Sequence, residues 1–318
     1  MNGFWRDSGV ALAALVLLLG APLAFSSPAF EDFIIRLSAL ALFATSLNLL
    51  VGGSGMISFG HGLFYGFGAY AFALLMQRTT LSLASAVLLT LFLAALVALL
   101  VGAVCIRLKT IYFAFVTLAI QMLFYSVIIS WVSLTGGDQG LQGGIPRRVI
   151  AGIDINQQGH LYQFCAVLLV AGLFAMRHIT ASPFGMTLRM IRDNEARAAF
   201  LGIPLWRPKL AIFVLAGVFA ALGGILASLF VSGAYPEFAD WPFSGQAIFA
   251  VMLGGIDSFL GPLAGSAILL ALNDIFTRLT EYHGLVQGVV ILLFALGLRR
   301  GVLDFLRVLP GRGEVASR

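Results

Sequence analysis

The sequence predicts an all-α, polytopic integral membrane bundle of about ten transmembrane helices, and three observations carry that reading. Hydrophobic residues fill 60% of the 318 positions and charged residues only 10%, where a folded soluble domain carries about 25% charge. The mean hydropathy of +1.00 excludes a disordered chain and a charged coiled-coil rod. Long apolar runs recur along the chain, close to the ~20 helical residues needed to cross a hydrocarbon layer of about 30 Å.

Ten such runs, bounded by charge, Pro or Gly, are the predicted spans: residues 9–25, 34–51, 56–77, 82–106, 111–134, 161–178, 209–232, 244–258, 262–280 and 284–298. The eighth, between Pro242 and Pro262, is short for a crossing and is expected to be a half-helix or re-entrant piece. The first run follows Arg6 and ends near Ser26 and Ser27, the outline of a secretory signal. Its length exceeds the 7–15 residues of a signal core, so an uncleaved span is expected. Residues 1–318 read as one domain, with no room for an appended soluble domain of about 100 residues.

Placing the amino terminus in the cytoplasm and alternating sides puts 14 of the 19 basic residues inside. These are Arg6, Arg107, Lys109, the six from Arg177 to Lys209 and the five from Arg299 onward; Arg36, Arg78, Arg147, Arg148 and Arg278 fall outside or at a helix edge. This is the asymmetry of the positive-inside rule, and an even number of spans satisfies it at both the 179–208 loop and the carboxyl tail. Both termini are therefore expected in the cytoplasm. The same retention of arginine accounts for the net charge of +5 without a nucleic-acid partner.

Several chemistries lack their residues. Neither lysine, Lys109 or Lys209, sits in a phosphate-binding loop, and the four histidines have no H-E-x-x-H spacing. No G-x-S-x-G elbow is present. Cys105 and Cys165 lie in apolar runs, without metal-site or disulfide-framework spacing. The sequence thus points to no catalytic residue, metal or cofactor.

From Ser46 the chain reads SLNLLVGGSGMISFGHGLFYGFGAY. Each interior glycine disfavours a helix by up to ~1 kcal/mol, so such density implies close helix contact or an opened backbone lining a cavity. Asn48, Ser58 and His61 place polar groups at or near membrane depth, where they line a route or bond another helix. In the fifth run, Thr117 and Gln121 stand one turn apart on one face. That run leads into LTGGDQGLQGGIP, where Thr135, Gly136 and Gly137 open either an ordinary external turn or a loop whose exposed N–H groups bind a carboxylate.

The loop HITASPFGMTLRMIRDNEARAAFLGIPLWRPK, from His178, is the most polar stretch and the least explained by lipid burial. Ser182 and Pro183 can start a helix and Gly202 and Pro204 can end it, with Leu188, Ile191, Ala198 and Leu201 near helical spacing. Its mixed charges, Arg189, Arg192, Asp193, Glu195 and Arg197, suit a protein contact better than an anionic lipid surface.

This loop resembles the coupling segment of permease subunits in bacterial ATP-binding-cassette importers. The blocks LNLLVGGSGMISFGHGLFYGFGAY, YFAFVTLAIQ, LTGGDQGLQGGIP, SPFGMTLRMIRDNEARAAFLGI and MLGGIDSFLGPLAG are similar, in order, to those of the LivM-type permeases for branched-chain amino acids. Met186 departs from the family's arginine, and Asp257 interrupts a glycine-rich run. The resemblance implies a multi-pass inner-membrane permease that hydrolyses no ATP itself. It implies a second, LivH-like permease subunit, two ATP-binding subunits and a periplasmic substrate-binding protein as partners. Branched-chain amino acids are the implied cargo, with a related small polar solute such as urea as another. ATPase coupling then falls to Pro183, Gly185, Arg192, Asp193, Glu195, Ala198 and Gly202. The alternative is a stand-alone ion-coupled secondary transporter using buried acids such as Asp257 and Asp274.

Overall fold

The computed structural model describes residues 2–24, 27–108, 110–146, 149–150, 153–279, 281–297 and 301–303. Ser26, Lys109, Arg147, Arg148 and the arginines from Arg299 onward lie outside the described residues. The architecture is an all-α bundle, with one two-residue antiparallel hairpin, Val149–Ile150 against Ile153–Asp154.

Ten helices occupy the ten predicted runs: α1 (Asn2–Ala24), α2 (Pro28–Ser54), α3 (Gly62–Arg78), α4 (Leu83–Cys105), α5 (Thr110–Ser130), α7 (Gln158–Ala181), α10 (Trp206–Val231), α11 (Trp241–Gly254), α12 (Gly261–Leu279) and α13 (His283–Gly297). Three short helices lie between them: α6 (Val132–Thr135), α8 (Pro183–Asp193) and α9 (Glu195–Phe200). Among the described residues, five helices (α2, α4, α5, α7 and α10) are long and apolar enough to cross a membrane. At 14 residues, α11 is about 21 Å long and short of the hydrocarbon thickness, as its bounding prolines predict.

The third span is shorter than the sequence suggests, because residues 56–61 are not helical. Gly55, at φ 73°, ends α2 in the left-handed conformation, its N–H and that of Met56 capping the Val51 and Leu50 carbonyls. The fifth run likewise stops at Ser130 rather than residue 134, Thr135 turning its hydroxyl back onto the Ile128 and Trp131 carbonyls. The single helix expected in the 179–208 loop is two helices. Asn194 is extended, ends α8 and caps α9 by accepting the Arg197 N–H at 2.9 Å.

α2 and α10 form the central pair, with 83% and 67% of their apolar windows buried, against 28% for α4, α5 and α7. The exposed flanks of those three helices are apolar, including Leu88, Phe92, Tyr112, Phe115 and Leu123, as a lipid-facing surface requires. Small residues let the central helices close up: a Cβ added at Gly223 would meet the Ala39 carbonyl, and one at Gly224 the Tyr65 carbonyl.

The pairs α2–α3 and α10–α11 run in opposite directions through the bundle. α2 and α10 run antiparallel, since the end of α2 and the start of α10 both meet the α8–α9 segment, through Arg192–Gly52 and Lys209–Glu195. Each long helix is followed by a segment without α-helix (55–61, or 232–240 with its single 3-10 turn at Pro236–Ala239) and a shorter helix that turns back. α3 lies parallel to α10, Phe64 beside Gly217 and Ala69 beside Gly224. α11 lies parallel to α2, with Phe43 stacked on Phe243. Two broken crossings therefore approach from opposite ends and meet inside the protein. Among the described residues, Arg107, Arg177, Arg189, Arg192, Arg197, Arg207 and Lys209 gather at the α8–α9 end, while Arg36, Arg78 and Arg278 lie toward the other.

Candidate translocation site and coupling face

The first turns of α3 and α11 meet in a buried polar junction. The Gly62 N–H donates to Ser244 Oγ at 2.7 Å, and Ser244 donates to Gln121 Oε1 at 2.7 Å. Gln121 Nε2 in turn donates to the Ala239 and Asp240 carbonyls at 3.0 and 2.8 Å. Ser244 and Gln121 are 1% and 0% exposed. Each connected group has its partner, which is what makes a network at low dielectric stabilising. Ser244 and the 239–240 carbonyls have no motif of their own; the polar residues opening a short span after Asp240 are the only signal in the sequence.

Aromatic rings close the space beside this junction. Phe43 stacks on His61 at 5.4 Å, Tyr65 lies 4.6 Å from Phe243, and both pack on Phe43 or each other. His61 is fully buried and hydrogen-bonded to Ser46 Oγ at 2.8 Å. Thr117 returns its hydroxyl to the Ala114 carbonyl, and its own carbonyl crosses Gly60 so closely that a Cβ there would collide. The structure thus gathers His61, Thr117 and Gln121 around one buried, packed plug of side chains inside the bundle. Ser58 is buried beside it with an unpaired hydroxyl. Asn48 faces elsewhere, its amide nitrogen donating to the Ile256 carbonyl at 3.2 Å.

Thr135, Gly136 and Gly137 lie apart from the plug, at the end of α6 and in the turn that follows it. Gly136 and Gly137 adopt φ of 79° and 61°, which only glycine takes without strain. Their N–H groups are engaged locally, Gly136 with the Val132 carbonyl and Gly137 with Thr135 Oγ1. A bridge between Leu141 and Ala234 ties this turn to the second broken segment.

At the opposite end lie α8 and α9, the segment that the sequence marks for ATPase coupling. Pro183 opens α8, Ser182 caps it through the Gly185 N–H, and Gly185 sits against the Thr180 carbonyl. Leu188, Ile191 and Ala198 are buried within the chain, so Ala198 packs inward; Leu201, the residue just past the end of α9, is 65% exposed. Arg192 donates to the Gly52 carbonyl at 2.6 Å and contacts Asp193, fastening α8 to the α2 terminus beside Gly55. Glu195 is paired with Lys209 of α10 at 2.5 Å. Gly202, at φ 79°, turns the chain in open space. The surface left outward is apolar as well as charged: Phe200 is 93% exposed, with Met186 and Met190 also exposed. The charges drew attention in the sequence, whereas Phe200 had no periodic context to single it out.

Of the two acids considered for ion coupling, Asp274 is held by Arg36 through two bonds of 2.7 and 2.8 Å, and Asp257 lies in the turn after α11, outside the plug. Among the described residues, no group of three or more His, Cys, Asp or Glu is placed to hold a metal.

A bundle of apolar helices with oppositely directed broken crossings, a buried polar junction and a helical segment clamped to one end is a polytopic membrane protein. Residues 29–295 match the family model described as the branched-chain amino acid transport system / permease component, and the chain belongs to that family. It is 25% identical over 319 residues to the high-affinity branched-chain amino acid transport system permease protein LivM of Escherichia coli, covering 93% of this chain and 75% of that one. The Salmonella typhimurium LivM is 26% identical, over 82% of this chain and 67% of the relative. A LivH permease from the same organism is 29% identical over 58% of this chain and 60% of the relative. No solved structure matches the chain.

Proposed function

We propose that the chain is the permease subunit of an ATP-driven importer that moves branched-chain amino acids across the bacterial inner membrane. In this reading the basic α8–α9 end faces the cytoplasm, as do both termini. A second, LivH-like permease subunit pairs with this one, two ATP-binding subunits grip α8 and α9, and a periplasmic binding protein delivers solute to the opposite face. The pairing is supported by similarity to both LivM and LivH proteins.

The observation that carries the proposal is the Arg192–Gly52 clamp. A partner that draws on the exposed Phe200, Met186 and Met190 pulls on α8, and α8 is tied to the α2 terminus where the first broken crossing begins. ATP can drive transport only by binding one state of the assembly better than the other, and this clamp gives that preference a route to the plug. Pro183, Gly185, Asp193, Glu195 and Gly202 shape and orient the lever.

The test is reconstitution. The chain alone in proteoliposomes is expected to accumulate no labelled leucine under a proton or sodium gradient, whereas the co-expressed assembly with ATP and its binding protein accumulates it. Gradient-driven uptake by the isolated chain would overturn the proposal in favour of an ion-coupled transporter. Urea uptake without leucine uptake by the assembly would keep the importer and change its cargo.

A further inference from the structure

Between α2, α7, α8 and the turn after α11 lies a cavity of about 500 Å³, within the range of small-molecule sites. α2 contributes Thr45 and Asn48, which stand three residues apart and therefore on one helical face. Thr45 is 1% exposed and Asn48 9%. Thr45 Oγ1 and Asn48 Oδ1 both lack a hydrogen-bond partner. This departs from the rest of α2, where Ser38, Ser46 and Ser54 each return a hydroxyl to a carbonyl three or four residues back. Two buried, unpartnered oxygens on residues that line one cavity are acceptors waiting for a donor.

The same cavity receives Arg177 and Arg189 from α7 and α8. A guanidinium has five N–H donors; Arg189 commits one to the Thr180 carbonyl at 3.0 Å and Arg177 one to Asp7 at 3.3 Å. Leu49, Ile256 and Phe259 supply apolar wall, and Arg192 and Asp257 complete the charged lining. Fixed cations, unpaired acceptors and an aliphatic surface in one space match a solute that carries a carboxylate, an ammonium group and a branched hydrocarbon chain.

We propose that this cavity is a binding site for an aliphatic α-amino acid on the α8 side of the plug. The carboxylate lies against Arg177 and Arg189, the ammonium donates to Asn48 Oδ1 and Thr45 Oγ1, and the side chain rests on Leu49, Ile256 and Phe259. The assignment rests on the importer reading for its solute, while the residues come from the cavity itself. The site shares α8 with the coupling face, so a movement of α8 changes its arginine wall directly.

The experiment measures equilibrium binding of labelled leucine to the full chain, purified in nanodiscs with the subunits that accompany it and without the soluble binding protein. The competitors are leucine, leucinamide, which lacks the carboxylate, and 4-methylpentanoate, which lacks the ammonium. Both analogues are expected to compete about tenfold or more less well than leucine. Asn48→Leu with Thr45→Val should erase discrimination against 4-methylpentanoate alone, and Arg189→Gln discrimination against leucinamide alone. A misfolded variant cannot produce that crossed pattern, and unchanged far-ultraviolet circular dichroism checks the fold. Absence of leucine binding, equal competition by 4-methylpentanoate, or variants that keep the wild-type discrimination each overturn the site. ATP-dependent leucine uptake in the same preparation tells such a failure apart from failure of the importer reading.

Discussion

The backbone N–H of Gly62 donates to the hydroxyl of Ser244 at 2.7 Å, joining the first turns of two helices that enter the protein from opposite ends. Ser244 passes the connection to Gln121, and Gln121 to the carbonyls that lead into α11. Ser244→Ala therefore leaves a buried N–H and a buried amide oxygen without partners. The expected loss is about 1–3 kcal/mol for each group left unsatisfied, read as a lowered thermal midpoint in detergent. A Ser244→Ala protein as stable as the parent would show that the junction is not a structural lock.

Gly53 and Gly60 belong to the same glycine-rich stretch and should behave oppositely. A Cβ at Gly53 meets nothing within 4 Å, while one at Gly60 collides with the Thr117 backbone. Gly53→Ala is expected to be neutral or to stabilise α2 by up to ~1 kcal/mol. Gly60→Ala should cost about 1–3 kcal/mol through overpacking, seen as reduced yield of monodisperse protein by fluorescence-detected size exclusion.

Arg36 and Asp274 form a two-bond ion pair between α2 and α12, each side chain about 30% exposed. Asp274→Leu or Arg36→Leu alone should lose about 1.5–3 kcal/mol, the worth of a charged hydrogen-bonded partner. The double substitution should recover most of that loss, since an apolar replacement removes both charges together. A double-mutant cycle on thermal midpoints measures the coupling; additive losses would mean that the two residues act independently.

Phe200 is 93% exposed on α9 and touches little of its own chain. Phe200→Ser should leave stability within ~0.5 kcal/mol, as for other surface changes. If Phe200 is an anchor for an ATP-binding subunit, docking weakens by about 2 kcal/mol or more, so the partner is lost on co-purification and solute-stimulated ATP hydrolysis falls. Unchanged hydrolysis in the assembled complex would remove Phe200 from the docking surface.

The sequence by itself determined the solvent, the class and most helix positions of this protein. Runs of apolar residues must be helical in lipid because unpaired backbone groups are too costly there, and the prolines at 242 and 262 forecast the shortness of α11. Asn194 was legible only as a good capping residue, and the break it makes divides the expected single helix into α8 and α9. The tertiary structure alone decided that residues 55–61 leave the helix, since a glycine-rich run permits either a tight helix or an open backbone and the Thr117 carbonyl over Gly60 selects between them. It also decided which polar residues are structural. Gln121 meets Ser244, 123 positions away, while Thr45 and Asn48 are left facing a cavity. Local sequence fixes what a side chain can donate or accept; only the packing of distant helices determines whether a partner stands within reach.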